Sequence, residues 1–465
     1  MNQFTFEAKH KSILLGFMGL GILCMVLTAL GDDDYLTRTW SNYLHNSVFF
    51  LGIGFVSLFV LTAFTTAYAG WHLMLQRVWE AFSAFLIPGL VLMLILVAGV
   101  LMDWNHLYHW ADEASVAVDP ILQGKAPFLN NMWYGLGTLL VVGTWGFFAY
   151  RYRQLSREED EIGTEEYTQY KRTKLLSAIF LPIGGFTSAA MIWQWVMSVD
   201  AHWYSTLYAW YATASWFVAA MAMTIMLLIW LKSRGYYENV TAEHFHDLGK
   251  YLFAFSVFWT YLWFSQYMLI WYANNGEETV YFQTRMHEYP ALYWGNLILN
   301  FVLPFLILMR NDTKRKFGTL FFVSMIVFLG HWFDYFQMIK PGVAHTAHEI
   351  HELHMAGGHD AHAVPMDASH GEEAAHDDHG DSHAEAGHDD HAAAGHDEHA
   401  GGHGEEGGHG HTAFQMGMSF PGLLELGTLL GFAALFLYVA LSALATAKLV
   451  PQNHPFVRES EHHHT

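Results

Sequence analysis

The sequence predicts an all-α integral membrane protein of ten transmembrane helices, on three observations. Ten apolar stretches each approach the ~20 residues that a helix rising ~1.5 Å per residue needs to cross the hydrocarbon. Threaded alternately, they sort 18 of the 22 Lys and Arg onto one face and leave only Arg38, Lys125, Arg285 and Lys340 on the other. The composition, 53% apolar and 16% aromatic with 14% charged, is far from that of a soluble domain. By the positive-inside bias the charge-rich face and both termini are cytoplasmic, and the charge-poor face lies on the opposite side.

The elements follow in chain order. Residues 12 to 30 form a first span after Lys9 and Lys11; it lacks a small-residue cleavage pattern before Asp32, Asp33 and Asp34, so it reads as a retained helix and not a signal peptide. Spans two and three cover 45 to 68 and 82 to 102, and an aromatic loop, Asp103 to Trp110, carries His106 and His109. Span four, 131 to 150, is joined by the charged segment Arg151 to Lys174 to span five, 174 to 197. The loop Ser198 to Ser205 holds Asp200 and His202 before span six, 206 to 231. Spans seven to nine cover 249 to 272, 290 to 310 and 317 to 338, and span ten covers 422 to 447. Residues 1 to 340 thus hold nine helices, 341 to 415 an insertion, and 416 to 465 the last helix and a cytoplasmic tail. Spans two to five and six to nine superimpose in order, each set with a His-bearing loop after its second helix and a His/Asp/Trp cluster at the end of its fourth. That register predicts two four-helix bundles as parallel repeats, flanked by spans one and ten.

The insertion dominates the charge. Pro341 to His411 contains no Lys or Arg, 16 acidic residues and 17 of the 31 His, so the formal charge of −21 is mostly local and says nothing about nucleic acid. Its clustered imidazoles, starting with His345, His348, His351 and His354, can bind Zn²⁺, Ni²⁺ or Cu²⁺. A run of Gly, Ala, His and Asp lacks the apolar residues to fix a ligand geometry, so disorder and buffering of metal are expected. Cys24 is the single cysteine, which excludes a disulfide, a CxxCH haem attachment and a cysteine-ligated cluster within this chain.

Ionisable residues at membrane depth are few, and each costs ~2.5 to 3.5 kcal/mol if charged near mid-bilayer, so they face the protein interior and mark proton or substrate paths. His331 and Asp334 lie three apart and share a helix face, roughly 10 and 6 Å below the end of their hydropathy span. With His106, His109, Asp200 and His202 on the charge-poor side they are the candidates for a proton or substrate path. Glu80, Gln194, Gln266 and Glu425 are further proton-path candidates, and Asn296 and Asn300 add polarity in span eight. No second imidazole matches the depth of His331, since His45 and His72 lie at the two ends of span two. If the chain takes part in redox chemistry, the electron carriers are therefore a mobile quinone or cofactors of partner subunits.

The segment Met197-Ser-Val-Asp-Ala-His-Trp-Tyr-Ser-Thr-Leu-Tyr-Ala-Trp-Tyr211, the loop Asn105-His-Leu-Tyr-His-Trp110 and the run Gly330-His-Trp-Phe-Asp-Tyr-Phe336 resemble the NrfD or polysulfide-reductase type of membrane subunit. Most narrowly they are similar to the second quinone-binding-type subunit of alternative complex III, the bacterial quinol:cytochrome c oxidoreductase. The resemblance covers roughly residues 5 to 345 and 415 to 450 and leaves the His-rich stretch as an insertion. It implies menaquinol as electron donor and a cytochrome c or terminal oxidase as acceptor. Partners would be a paralogous ten-helix quinol-site subunit, multihaem and monohaem cytochrome c subunits carrying haem c, and an iron–sulfur subunit carrying the clusters. This chain would be a cofactor-free scaffold and proton path, with menaquinol bound on the periplasmic side. The competing classes are a divalent-cation or proton transporter with the His-rich loop as metal trap, and a purely structural membrane anchor.

Overall fold

The computed structural model describes residues 3–162, 166–360 and 414–463, and within them the chain is helical without a β-strand. Nine helices among the described residues are long and apolar enough to cross a membrane. In chain order, with one more long helix described below, they are α1 Ala8–Leu30, α2 Thr37–Thr66, α3 Gln76–Leu101, α4 Asn131–Ile162, α5 Thr168–Val199 and α6 Thr206–Ser233, then α8 Pro290–Leu308, α9 Phe317–Asp360 and α10 Leu423–Leu444. Between α6 and α8 lies α7, Ala242–Ala273, longer than either neighbour at 32 residues. Its aromatic face, with Trp259, Trp263, Tyr267 and Trp271, lowers its hydropathy because Trp and Tyr carry a polar atom, the property that also suits them to interfaces.

Burial separates the helices by position. The apolar windows of α2 and α6 are 83% and 78% buried, whereas that of α1 is 17% buried. Two helices that are apolar all round and covered all round form the centre. Their close approach depends on Gly52, where a Cβ would land 1.9 Å from the Trp216 ring. From the centre, α2 packs on α3, α5, α6, α9 and α10, and α6 packs on α5, α7 and α9. The remaining contacts run α3 to α4, α4 to α5, α7 to α8 and α8 to α9. Helix α10 also lies on α3 and is the main partner of α1. There the glycines of a GxxxG spacing, Gly427 and Gly431, face Cys24 and Gly21, and a Cβ at Gly431 would lie 2.6 Å from the Gly21 Cα. Association inside lipid relies on such close packing because lipid tails offer no hydrophobic drive between helices.

Several helices outrun the hydropathy reading, among them α4, which continues past the expected end at 150 to Ile162. Helix α2 begins at Thr37, eight residues before the expected start at 45, and carries Ser41, Asn42 and His45 buried into the core. Helix α9 does not end at 338 but runs through Pro341 to Asp360, so the first part of the expected insertion is helical. Its extension is packed and not free: Val343, Thr346 and Ile350 are buried, and the Thr346 hydroxyl donates to the Val199 carbonyl at 2.9 Å. The rest of the His-rich stretch lies outside the described residues.

Candidate functional site

Asp334 sits in α9 with no solvent exposure, and donors from three other helices converge on it. On one carboxylate oxygen it accepts from the Tyr211 hydroxyl of α6 and from Asn296 Nδ2 of α8 at 2.7 Å; on the other it accepts from Trp259 Nε1 of α7 at 2.9 Å. Three donors suit the acceptor-only character of a carboxylate. Asn296 is held in that orientation because its Oδ1 accepts from Asn300 Nδ2 at 2.5 Å, and Asn300 also donates to the Gly330 carbonyl at 2.9 Å. Asn300 lies in a π-helical turn, Ile298–Val302, the kind of bulge that often marks a functional position. Gly330 must be small, since a Cβ there would lie 2.3 Å from Asn300 Oδ1.

His331 shares the face of Asp334, as its spacing predicts, with Nδ1 3.9 Å from the carboxylate. That nitrogen pairs with Ser215 Oγ at 2.9 Å, and Nε2 has no partner although it is fully buried. Of the groups on Asp334, the Tyr211 hydroxyl can reverse its hydrogen bond, whereas an indole N–H can only donate. The constellation can therefore take up a proton on the carboxyl group and keep a hydrogen bond to Tyr211.

On the charge-poor face Asp200 and His202 part company. Asp200 accepts from Arg285 Nη2 at 2.8 Å, and the guanidinium lies 3.4 Å over the Tyr281 ring. Burial opposes the Arg285 charge, but Tyr281 and Asp200 outweigh it and raise its pKa above the ordinary value. His202 instead pairs through Nε2 with Asp119. Burial works against ionised Asp119, yet this bond and the N–H groups of Ile121 and Leu122 hold its pKa below the usual carboxylate range. His109 lies 5.5 Å from the His202 ring, and its Nδ1 is 3.3 Å from Glu349 on the α9 extension. Burial lowers the His109 pKa although Glu349 opposes it. His106 stacks on Tyr35 at 3.6 Å and belongs to neither group.

Beside this rim is a cavity of about 330 Å³ lined largely by apolar groups, among them Phe128, Trp193, Met197, Trp203 and Tyr204. Trp193 Nε1 and Trp203 Nε1 are buried there without a hydrogen-bond partner. Lys125 also lines it and donates to the Ala201 carbonyl at 2.5 Å.

The other expected residues lie apart. Glu425 takes a two-pronged bond from Arg38, at 2.8 and 3.1 Å, and one from Asn42 at 3.1 Å. Nearby Lys340 is fully buried and donates to Ser41 Oγ at 2.6 Å. Glu80 lies near the charge-rich end, bonded to Gln76, Arg77 and Ser156, with Arg77 also paired to Asp160. Gln194 is fully buried with neither amide atom partnered, and Gln266 makes only a 3.4 Å bond to the Leu262 carbonyl. His345 and His348 pair with Glu349 and Glu352 one helical turn on, and His354 with Asp112, while His351 is exposed.

Sequence reasoning missed Tyr211, Ser215, Trp259 and Arg285, because their pairing depends on which helices adjoin. It also placed His45 at the membrane surface. The early start of α2 puts that imidazole in the core, with Nε2 2.8 Å from the Trp332 carbonyl. No family model matches the chain, and no curated protein is similar to it at a meaningful level.

Proposed function

We propose that this chain is a ten-helix, cofactor-free membrane subunit of a respiratory quinol:cytochrome c oxidoreductase of the alternative complex III type, serving as scaffold and proton path. The observation that carries the reading is Asp334, a carboxyl group shut off from solvent, held by donors from three helices and three residues from an imidazole with a free nitrogen. Inside a membrane an ionisable pair is costly, which makes it a mark of proton movement. The helix pairings support two four-helix bundles, α2 to α5 and α6 to α9, with α1 and α10 flanking, and the aromatic α7 supplies the tenth crossing. On this reading the charge-poor face is periplasmic and both termini are cytoplasmic.

Menaquinol would bind in the 330 Å³ cavity, within the range of small-molecule sites, with its oxygens toward the unpartnered indole N–H groups of Trp193 and Trp203. Bound quinol supplies two electrons and two protons; the electrons pass to haem c and iron–sulfur clusters of partner subunits. A fastening role for Asp334 is the competing account, favoured by its satisfied hydrogen bonds.

Asp334→Asn separates the two, because it keeps size and most bonding and removes the titrating proton. The variant complex should assemble with its haem-bearing partners, which subunit identification after co-purification checks. Quinol:cytochrome c turnover should fall by on the order of 10-fold or more, with a changed pH profile. Unaltered turnover and pH dependence in a fully assembled complex would leave Asp334 as a fastening. Co-purification without any haem-bearing partner would overturn the respiratory reading itself.

A further inference from the structure

Three elements distant in sequence meet at the charge-poor rim. The loop after α3 brings His109, the α5–α6 connection brings His202, and the extension of α9 brings Glu349; one donor atom from each lies within 4.8 Å of the others. Glu349 Oε2 is the informative atom. It is buried and makes no hydrogen bond, although His109 Nδ1 stands 3.3 Å away on one side and His345 Nδ1 3.4 Å away on the other. A buried carboxylate oxygen within ion-pair distance of two imidazole nitrogens, yet hydrogen-bonded to neither, keeps its lone pairs free for a metal. Four ligands about 2.05 Å from a tetrahedral Zn²⁺ stand roughly 3.3 Å apart, which is the spacing of these N···O pairs.

The surroundings have the form of an outer ligand shell. His202 gives Nε2 to Asp119, which leaves Nδ1 for a metal and fixes the ring, the carboxylate–histidine–metal arrangement that raises ligand basicity. Asp119 is itself anchored by the N–H groups of Ile121 and Leu122. Two imidazoles and one carboxylate suit a divalent cation of borderline softness, with water completing its shell.

We propose that His109, His202 and Glu349, oriented through Asp119, form a fixed Zn²⁺-class metal site on this face. The site differs from the His-rich run in having a geometry set by packed elements, since His109 is 7% exposed and α9 is anchored by Thr346. Metal there clamps the α5–α6 connection and the loop after α3 to the end of α9. The 17 imidazoles between Pro341 and His411 are attached to one of its ligand helices and would keep such a cation at high local concentration.

The test uses the full chain and Zn²⁺ itself, with a readout independent of quinol turnover. Carbethoxylation of each histidine is followed by mass spectrometry with and without Zn²⁺, and retained Zn²⁺ is counted after dialysis against a chelator. Zn²⁺ should slow modification of His202 and His109 about tenfold in the unaltered chain, with one equivalent retained. Both effects should vanish in Glu349→Gln, whose side chain is partly exposed and tolerates the change. Asp119→Asn, which keeps every ligand, should weaken binding by about 10- to 100-fold. Equal protection in Glu349→Gln and the unaltered chain, or none at His202 in either, would overturn the site and assign any bound metal to the His-rich run.

Discussion

Asp200→Ala is the substitution whose cost can best be worked out. Its partner Arg285 is 2% exposed, and without Asp200 the guanidinium keeps the Tyr281 carbonyl at 3.2 Å, the Met338 carbonyl at 3.5 Å and the Tyr281 ring. Breaking a buried ion pair by removing one partner costs about 3 to 5 kcal/mol, because the other charge is left uncompensated. The Asp200 side chain is 21% exposed, so water can reach the gap, and the surviving partners share the charge. Both effects place the loss at the low end, about 3 kcal/mol. Arg285→Met alone should cost less, about 1 to 2 kcal/mol, since the stranded carboxylate is the more hydrated partner. The double variant should lie within about 1 kcal/mol of the unaltered chain, giving a coupling of about 3 kcal/mol or more. Unfolding of the full chain in detergent micelles by added dodecyl sulfate, followed by circular dichroism, measures all three. A loss below about 1 kcal/mol for Asp200→Ala, or a double variant no better than that single one, would refute the reasoning.

Other outcomes are equally specific. In a Cys24→Ser background, cysteine at exposed Ala114 should react with an impermeant thiol reagent in intact spheroplasts and cysteine at exposed Ser233 should not; the reverse pattern would invert the topology. Burial, with a smaller push from Arg77, lowers the His454 pKa to about 4, and its Nδ1 accepts from the Phe456 N–H at 3.2 Å, which requires the neutral ring. With the folded pKa below the unfolded ~6.5, this stabilisation is complete above pH ~6.5 and is lost as pH falls toward 4, by on the order of 3 kcal/mol. Unfolding midpoints at pH 7.5 and 5 should therefore diverge less in His454→Gln. Deleting residues 361 to 410 should leave assembly and turnover near normal while removing most Zn²⁺ capacity, as equilibrium dialysis would show; collapse of turnover in an assembled complex would give the segment a direct role.

Much of the helix inventory is legible in the sequence, because apolar length and charge sorting are imposed by the bilayer and not by the fold. The shared face of His331 and Asp334 is legible too, being a local consequence of helical spacing. What surrounds them is not: Tyr211, Trp259 and Asn296 stand 123, 75 and 38 residues from Asp334 and meet it only through helix packing. Hydropathy counts Ser41 and Asn42 as costs and so starts α2 late, whereas neighbouring helices supply their partners, Lys340 and Glu425. The same blindness ends α9 at 338, since it cannot see the α5–α6 connection on which the extension lies. Lys340 sorts correctly to the charge-poor face, but its burial beside Ser41 is invisible to charge counting.

The glycine contact between α1 and α10 joins the two ends of the chain, and this governs the order in which the protein can be completed. During synthesis at roughly 5 to 20 residues per second, the roughly 410 residues between Gly21 and Gly431 take on the order of 20 to 80 s to emerge. Throughout that interval α1 has entered the bilayer but lacks its main partner, and its apolar surface meets lipid or whatever membrane protein passes. The earliest helix to be inserted is thus among the last to be packed. A bulky side chain at Gly431 would act at this closing step, leaving the other helices gathered and α1 adrift, and its signature would be slow maturation and degradation of new chains.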